Sequence, residues 1–279
     1  MSAKNDSVLR TFTVALMVCL VCAVVVATAA VMLRPVQETN KLLDKQVNIL
    51  MAAGLYSKGM DVQQAFETID RRFVDLQSGE YVEMPDSYDQ RRAAKDPAAS
   101  VRLDSSVDIA SIRNQAKVAE VYLARDESGE LSKIILPIHG YGLWSTLYGF
   151  LALEPDANTV AGLGFYEHAE TPGLGGEVDN PKWKGLWPGK NLFNEQGELA
   201  ITVVKGNVDA QAADAQYKVD GLAGATLTTN GVNNLVRFWM GENGFGPYLS
   251  GLKAQADAGQ QPAEEPDAEF VEDEEVSNG

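Results

Sequence analysis

Cysteine is nearly absent from this chain. Cys19 and Cys22 are the only two in 279 residues, and both lie in an apolar N-terminal run. No disulfide framework can therefore hold the remainder together, whichever compartment it occupies. Histidine is as scarce, with only His139 and His168, so the chain alone cannot assemble a cysteine–histidine metal cluster. Positive charge is also short: 23 lysines and arginines face 39 acids, for a net charge of −16. Phosphate backbones need clustered cations, which excludes nucleic acid as a partner. No glycine fingerprint stands in the strand–turn–helix setting that dinucleotide binding requires, so a dinucleotide site is not expected on this chain. No internal repeat of solenoid or propeller period is present.

The acid that is there is unevenly placed. From Lys253 to the C-terminus nine acidic residues meet one lysine, leaving −8, half of the total. A segment so charged, with Phe270 its only aromatic residue, cannot bury enough apolar area to offset its ordering entropy. Residues 253–279 are accordingly expected to be a disordered, solvated acidic tail. Docking on a basic partner is the alternative use for it. At the other end, after a polar tail over residues 1–10, Thr11 to Leu33 run without a charge. A helix of that length crosses the roughly 30 Å hydrocarbon core, and the run exceeds the apolar stretch of a cleaved signal peptide. It is expected to be a retained transmembrane helix, with Cys19 and Cys22 as small apolar filler. Lys4 and Arg10 precede the span while Arg34, Lys41 and Lys45 follow it, so local charge is nearly even across the membrane. The orientation adopted puts the N-terminus in the cytoplasm and the body on the exported side.

Residues 34–117 read as a helical and irregular region. Leu43, Val47, Leu50 and Met51 form one stripe of a helix over 36–55. Asp61 followed by Gln64 resembles a capping box and predicts a second helix to about Leu76, with Arg71 and Arg72 on its solvated face. Residues 78–105, with Pro85 and Pro97, read as a surface excursion. From Val118 the pattern turns to strands: 118–124, 131–138, 146–153, 160–166 and 199–205, separated by loops of Gly, Pro, Asp and Asn. A last amphipathic helix is predicted over 230–241, with Val232, Leu235, Phe238 and Trp239 inward and a glycine at its end. Helices before and after a strand series give an α+β domain over 118–252 around a mostly antiparallel sheet.

Three glycine-containing loops stand out, over 140–145, 170–176 and 220–229. Glycine lets backbone approach a ligand closely. The third loop runs straight into the last helix, and a helix N-terminus offers free N–H groups and partial positive charge to a phosphate. Thr228 or Thr229 serving only as an N-cap is the other use for that sequence.

Asp220-Gly221-Leu222-Ala223-Gly224-Ala225-Thr226 resembles the flavinylation motif Asp-x-x-Ser/Thr-Gly-Ala-Thr/Ser, except that Ala223 stands where a hydroxyl residue is usual. With Gly140-Tyr141-Gly142-Leu143-Trp144, Glu170-Thr171-Pro172-Gly173-Leu174-Gly175, Asn230-Gly231-Val232 and Gly244-Phe245-Gly246-Pro247, the chain resembles the covalent FMN-binding domain family. Within that family it is most similar to the C subunit of the sodium-translocating NADH:quinone reductase. The resemblance covers the anchor and essentially everything from Gly140 to Leu252.

The resemblance implies one FMN per chain, esterified through its phosphate to Thr226, with backbone groups around Gly224, Ala225 and Thr228 holding the phosphodiester. Trp144 and Leu174 would offer apolar contact to the ring, and Thr171 and the backbone of Gly173 to Gly175 hydrogen bonds. Glu170 would either join them or cap its own loop; His168 reads as structural. Trp183, Trp187 and Tyr166 read as core. Further implications are other subunits of a multi-subunit membrane redox complex and a separate magnesium-dependent flavin transferase. The expected location is the bacterial inner membrane, single-pass, with the soluble domain periplasmic. The alternatives are the G subunit of the ferredoxin-linked ion-translocating electron-transport complex, and a membrane-tethered binding or scaffold domain without redox activity.

Overall fold

In the computed structural model, residues 8–257 are described. A single helix, α1 (Val8–Ala52), replaces the two helices expected on either side of Pro35. Proline removes one helical hydrogen bond. Here the turn around it is braced by the Arg34–Glu38 ion pair at 3.0 Å and by the Thr39 hydroxyl donating to the Pro35 carbonyl at 3.1 Å. The N-terminal part is exposed along its length, as a lipid-facing helix requires, and is long and apolar enough to cross a membrane. The helix stops at a Schellman turn: Gly54 takes φ +70°, and Leu55 N–H closes on the Leu50 carbonyl at 2.8 Å.

Asp61 does cap a helix, accepting from the N–H groups of Gln63 and Gln64, but α2 (Val62–Phe66) lasts five residues. The expected continuation to Leu76 is instead strand β1 (Ile69–Asp75), which forms the edge of the main sheet. Arg71 leaves the solvated face predicted for it and pairs with Glu120 at 2.8 Å. The excursion over 78–105 contains a short α3 (Gln90–Ala93) and β2 (Ser100–Arg102), which pairs with β3 (Asn114–Ala116). Four antiparallel strands follow: β4 (Val118–Arg125), β5 (Leu131–Tyr141), β6 (Thr146–Leu153) and β7 (Val160–Glu167). The sheet order is β1-β4-β5-β6-β7, all neighbours antiparallel.

Both faces of this sheet are covered, which is why its strands read as nearly continuous apolar runs. Ile134, Leu136, Leu151 and Leu153 face the helix α5 (Thr226–Met240) and the segments beside it. Ile135, Phe150, Tyr122 and Ala152 face the other way, onto Ile49, Leu50 and Ala52 at the end of α1. The end of the N-terminal helix is thus keyed directly into the sheet domain. After β7 come a 3-10 turn (Gly175–Asp179), α4 (Pro181–Lys184) and a parallel pair, β8 (Thr202–Val203) with β9 (Lys218–Val219). The strand expected over 199–205 shrinks to β8. The last helix begins four residues before the predicted start. A further helix, α6 (Gly246–Asp257), extends past Lys253, so the first residues assigned to the acidic tail are helical; the rest lie outside the described residues.

His139 in β5 stacks on Tyr148 (5.4 Å between centroids) and leans on Trp239 (4.9 Å). Burial, with the Arg91 charge beyond Tyr148, lowers its pKa to about 4. The unfolded chain therefore binds the extra proton first, and the stability contributed is complete above pH ~6.5 and lost as pH falls towards 4. We expect the full chain to lose about 2 kcal/mol from this site between pH 7 and pH 5. His139→Phe keeps the ring stack and should flatten that part of the profile, as read from denaturant midpoints at the two pH values.

Candidate functional site

The site forms where the sheet delivers its loops to the N-terminus of α5. Residues Leu222 to Ala225 make a turn closed by Ala225 N–H on the Leu222 carbonyl (3.1 Å), with Gly224 at φ +72°. Ala225 occupies the cap position and no side chain caps the helix, so the first-turn N–H groups stand open. Thr226 is the first helical residue and its side chain is exposed. Neither Thr228 nor Thr229 is the N-cap. The Thr229 hydroxyl accepts from Leu222 N–H at 2.9 Å, and the Thr228 hydroxyl donates to Glu170 at 2.7 Å.

Beside Thr226 is a cavity of about 210 Å³ lined by Lys205, Gly206, Leu222, Ala223, Gly224, Thr226 and Thr229. Its far wall is set by the β8–β9 pair and by Gly221 N–H bonding the Gly206 carbonyl at 2.8 Å. Asp220 shapes the same wall: its carboxylate accepts from Val208 N–H (2.8 Å), and its carbonyl accepts from the Trp183 indole (2.8 Å). The acid of the motif is therefore structural, as is Trp183. Trp187 is fully buried and Tyr166 stacks on Phe150 in the core facing α1.

The loop over 170–176 meets the loop over 220–229 here. Leu174, exposed, comes within 3.2 Å of where a side chain on Gly224 would begin. Thr171, Gly173 and Leu174 all lie on the surface, with the Thr171 carbonyl accepting from Leu174 and Gly176. Glu170, by contrast, is buried, 5% exposed. One carboxylate oxygen, Oε1, accepts from the N–H groups of Leu143 (3.0 Å), Trp144 (3.0 Å) and Ser145 (3.3 Å); the other, Oε2, accepts from the Thr228 hydroxyl. Burial alone would raise its pKa, but the hydrogen bonds from Thr228 and the three amides outweigh it and hold the carboxyl below its usual range. Gly175 is obligatory here: a Cβ would lie 2.5 Å from the Thr228 hydroxyl. His168 is structural, bonding Asp179 at 2.8 Å and accepting from Glu170 N–H at 3.2 Å.

The sequence-predicted residues thus divide. Thr226, Gly224, Leu174 and Trp144 border open space, whereas the side chains of Glu170 and Thr228 are turned into the protein and onto each other. Sequence reasoning missed Lys205, Ser145 (whose hydroxyl accepts from Ala169 N–H at 2.7 Å) and Thr229. Ser145 and Thr229 act on backbone N–H groups and Lys205 reaches the cavity from beyond the end of β8, so no local spacing marks these roles.

An open helix N-terminus suits a phosphate, and the exposed Trp144, Leu174 and Leu227 suit a flat aromatic ring. The comparisons agree. Residues 142–241 match the FMN-binding domain family. The C subunit of the Na(+)-translocating NADH-quinone reductase from Pseudomonas aeruginosa is 55% identical over 257 residues, covering 90% of this chain and 98% of that one. The corresponding protein of Yersinia pestis is 51% identical over 258 residues, covering 91% and 96%. Among solved structures, Shewanella oneidensis NqrC superposes with a TM-score of 0.71 at 38% identity, covering 77% of this chain and 99% of that one.

Fold and site together define a membrane-anchored flavoprotein that takes FMN. More particularly, the chain belongs to the family formed by the C subunits of the Na(+)-translocating NADH-quinone reductase.

Proposed function

We propose that this chain is an electron-transfer subunit of a membrane sodium-pumping NADH:ubiquinone oxidoreductase, carrying FMN covalently as a phosphoester on Thr226. The observation that supports the attachment point is the position of Thr226: an exposed hydroxyl on the first residue of an uncapped helix, opening on a cavity. The first-turn N–H groups would hold the phosphodiester, whose single negative charge the helix end favours. Trp144 and Leu174 would lie against the ring, and the backbone of Gly173 to Gly175 with Thr171 would hydrogen-bond its polar edge. The bound flavin supplies the redox chemistry, so no side chain of this chain has to act as acid or base. Electrons from NADH would arrive through other subunits and leave towards the quinone.

A threonine hydroxyl is a weak nucleophile at neutral pH, and Lys205 is the one ionisable group lining the cavity. Attachment is therefore assigned to a separate magnesium-dependent flavin transferase using FAD. The Thr226 oxygen bonds to the FMN phosphorus, the bond to AMP breaks, and the hydroxyl proton passes to a base of the transferase. The soluble domain is placed on the periplasmic side of the inner membrane.

Intact-mass measurement of the mature chain from its native host tests the attachment. The expected result is an increment of one FMN less one water, and an unmodified mass overturns it. A C-terminal reporter fusion active only in the cytoplasm would overturn the orientation.

A further inference from the structure

Trp144 is held by little packing of its own. Its side chain is 65% exposed, and its loop is a tight turn closed by Gly142 N–H on the Ser145 carbonyl at 2.8 Å. The Glu170 carboxylate ties that turn to the body through three converging N–H groups, beside the single bond that the Ser145 hydroxyl accepts from Ala169 N–H. The same carboxylate grips the first turn of α5 through Thr228, two residues after Thr226. Two glycines let these parts close on it. A Cβ on Gly142 would lie 2.6 Å from Oε1, and one on Gly175 would lie 2.8 Å from Oε2.

We infer that Glu170 is a positioning residue for the flavin: one buried carboxylate fixes the loop bearing Trp144 relative to the helix end bearing Thr226. The inference rests on the reading of Thr226 as the flavin acceptor. A tether at Thr226 limits where the phosphate end can go, but leaves the ring free to swing about the ribityl chain. The ring's place is defined only if the aromatic shelf is fixed against the same helix turn. Glu170 would do this through the protein: its carboxylate is buried and already occupied by four hydrogen bonds to the two elements it joins. Removing it would orphan three N–H groups and one hydroxyl at once, and groups so orphaned seek other partners or water. The Trp144 loop would then part from α5 while Thr226, on the helix itself, stayed where it is.

The test uses the full chain in detergent, coexpressed with the transferase, as wild type, Glu170→Ala and Glu170→Gln. Intact mass reports attachment, and circular dichroism in the flavin bands reports how the ring is held. Amide exchange at residues 143–145 is followed in a Thr226→Val background, which needs no flavin. In Glu170→Ala, covalent FMN should persist and the flavin dichroism should fall. Exchange at 143–145 should quicken about ten- to a hundredfold, the factor that goes with losing a hydrogen bond to a charged acceptor. Glu170→Gln keeps a carbonyl oxygen for the three N–H groups and should restore both signals. Wild-type exchange and wild-type dichroism in Glu170→Ala would overturn the inference. If Glu170→Ala does not fold, Glu170→Asp takes its place. Its shorter arm cannot span both elements, so exchange should rise again, and unchanged exchange is equally fatal. An unmodified wild-type mass sinks the reading of Thr226 alone, and the exchange measurement still decides whether Glu170 sets the loop.

Discussion

Thr226→Val is expected to yield a chain that is folded, inserted and free of covalent flavin. The side chain is exposed at the first position of α5, where a valine neither breaks a buried hydrogen bond nor opens a cavity. Surface changes of this kind usually move stability by less than ~0.5 kcal/mol. The loss of flavin should nevertheless be complete, because a methyl group cannot form a phosphoester. Thr226→Ser keeps the oxygen and should keep the cofactor. Two residues on, the same substitution should do the reverse. Thr228 is fully buried, and Thr228→Val takes away the donor that satisfies Glu170 Oε2. That should destabilise the chain by about 1–3 kcal/mol while leaving the flavin attached. In-gel fluorescence after denaturation, read alongside thermal midpoints, separates the two outcomes. A Thr226→Val band that still fluoresces would move the attachment to another residue.

The contrast between Thr226 and Thr228 also shows what the sequence can and cannot disclose. The motif Asp220 to Thr226 places a hydroxyl at a helix entrance, and that is a local statement which the fold keeps. The roles of Glu170 and Thr228 are not local. They lie 58 residues apart, and the three amides bound by the same carboxylate lie 25 to 27 residues upstream of it. No spacing rule joins three loops through one side chain, so Glu170 reads from sequence as a flavin contact or a cap of its own loop, and not as the link between loops that it is.

The sheet was legible for a similar reason. Strands β4 to β7 are long apolar runs punctuated by turn residues, and β6 spans the predicted Thr146 to Leu153. Ile69 to Asp75 misled because Ile69, Phe73 and Leu76 fall at helical spacing behind a genuine cap at Asp61. Its partner decided otherwise: β1 gains a full ladder against β4, from Ile69 opposite Ala124 to Asp75 opposite Val118. Tertiary pairing outweighs a weak local preference.

Glu120 is the other residue whose loss should be costly, and its partners are equally remote. It lies in β4 on the sheet face that receives α1, with its side chain 5% exposed. Lys45 of α1 reaches it at 2.6 Å, Arg71 of β1 reaches it at 2.8 Å, and the Tyr122 hydroxyl donates to it. The Gln90 side chain accepts from its N–H at 3.0 Å. Glu120→Ala leaves two cations facing each other with no counter-charge at the joint between membrane helix and body. Removing one partner of a buried pair costs about 3–5 kcal/mol, and the partial exposure of Lys45 and Arg71 brings the expectation to about 2–4 kcal/mol. The loss should appear in thermal unfolding of the full chain in detergent, and amide exchange over residues 44–53 should quicken as the end of α1 loosens. Burial would raise the Glu120 pKa, but Lys45, Tyr122 and Arg71 prevail and hold it below the usual range. The stabilisation is therefore complete above the unfolded value near pH ~4.3 and disappears as pH falls through the lower folded value. That window lies below the one assigned to His139. Glu120→Gln should shrink the lower acid transition by this joint's share, leaving the share of the other depressed carboxyls such as Glu170, and should leave the upper one intact. If it removed the upper one, the carboxylate would not be the titrating group at this joint.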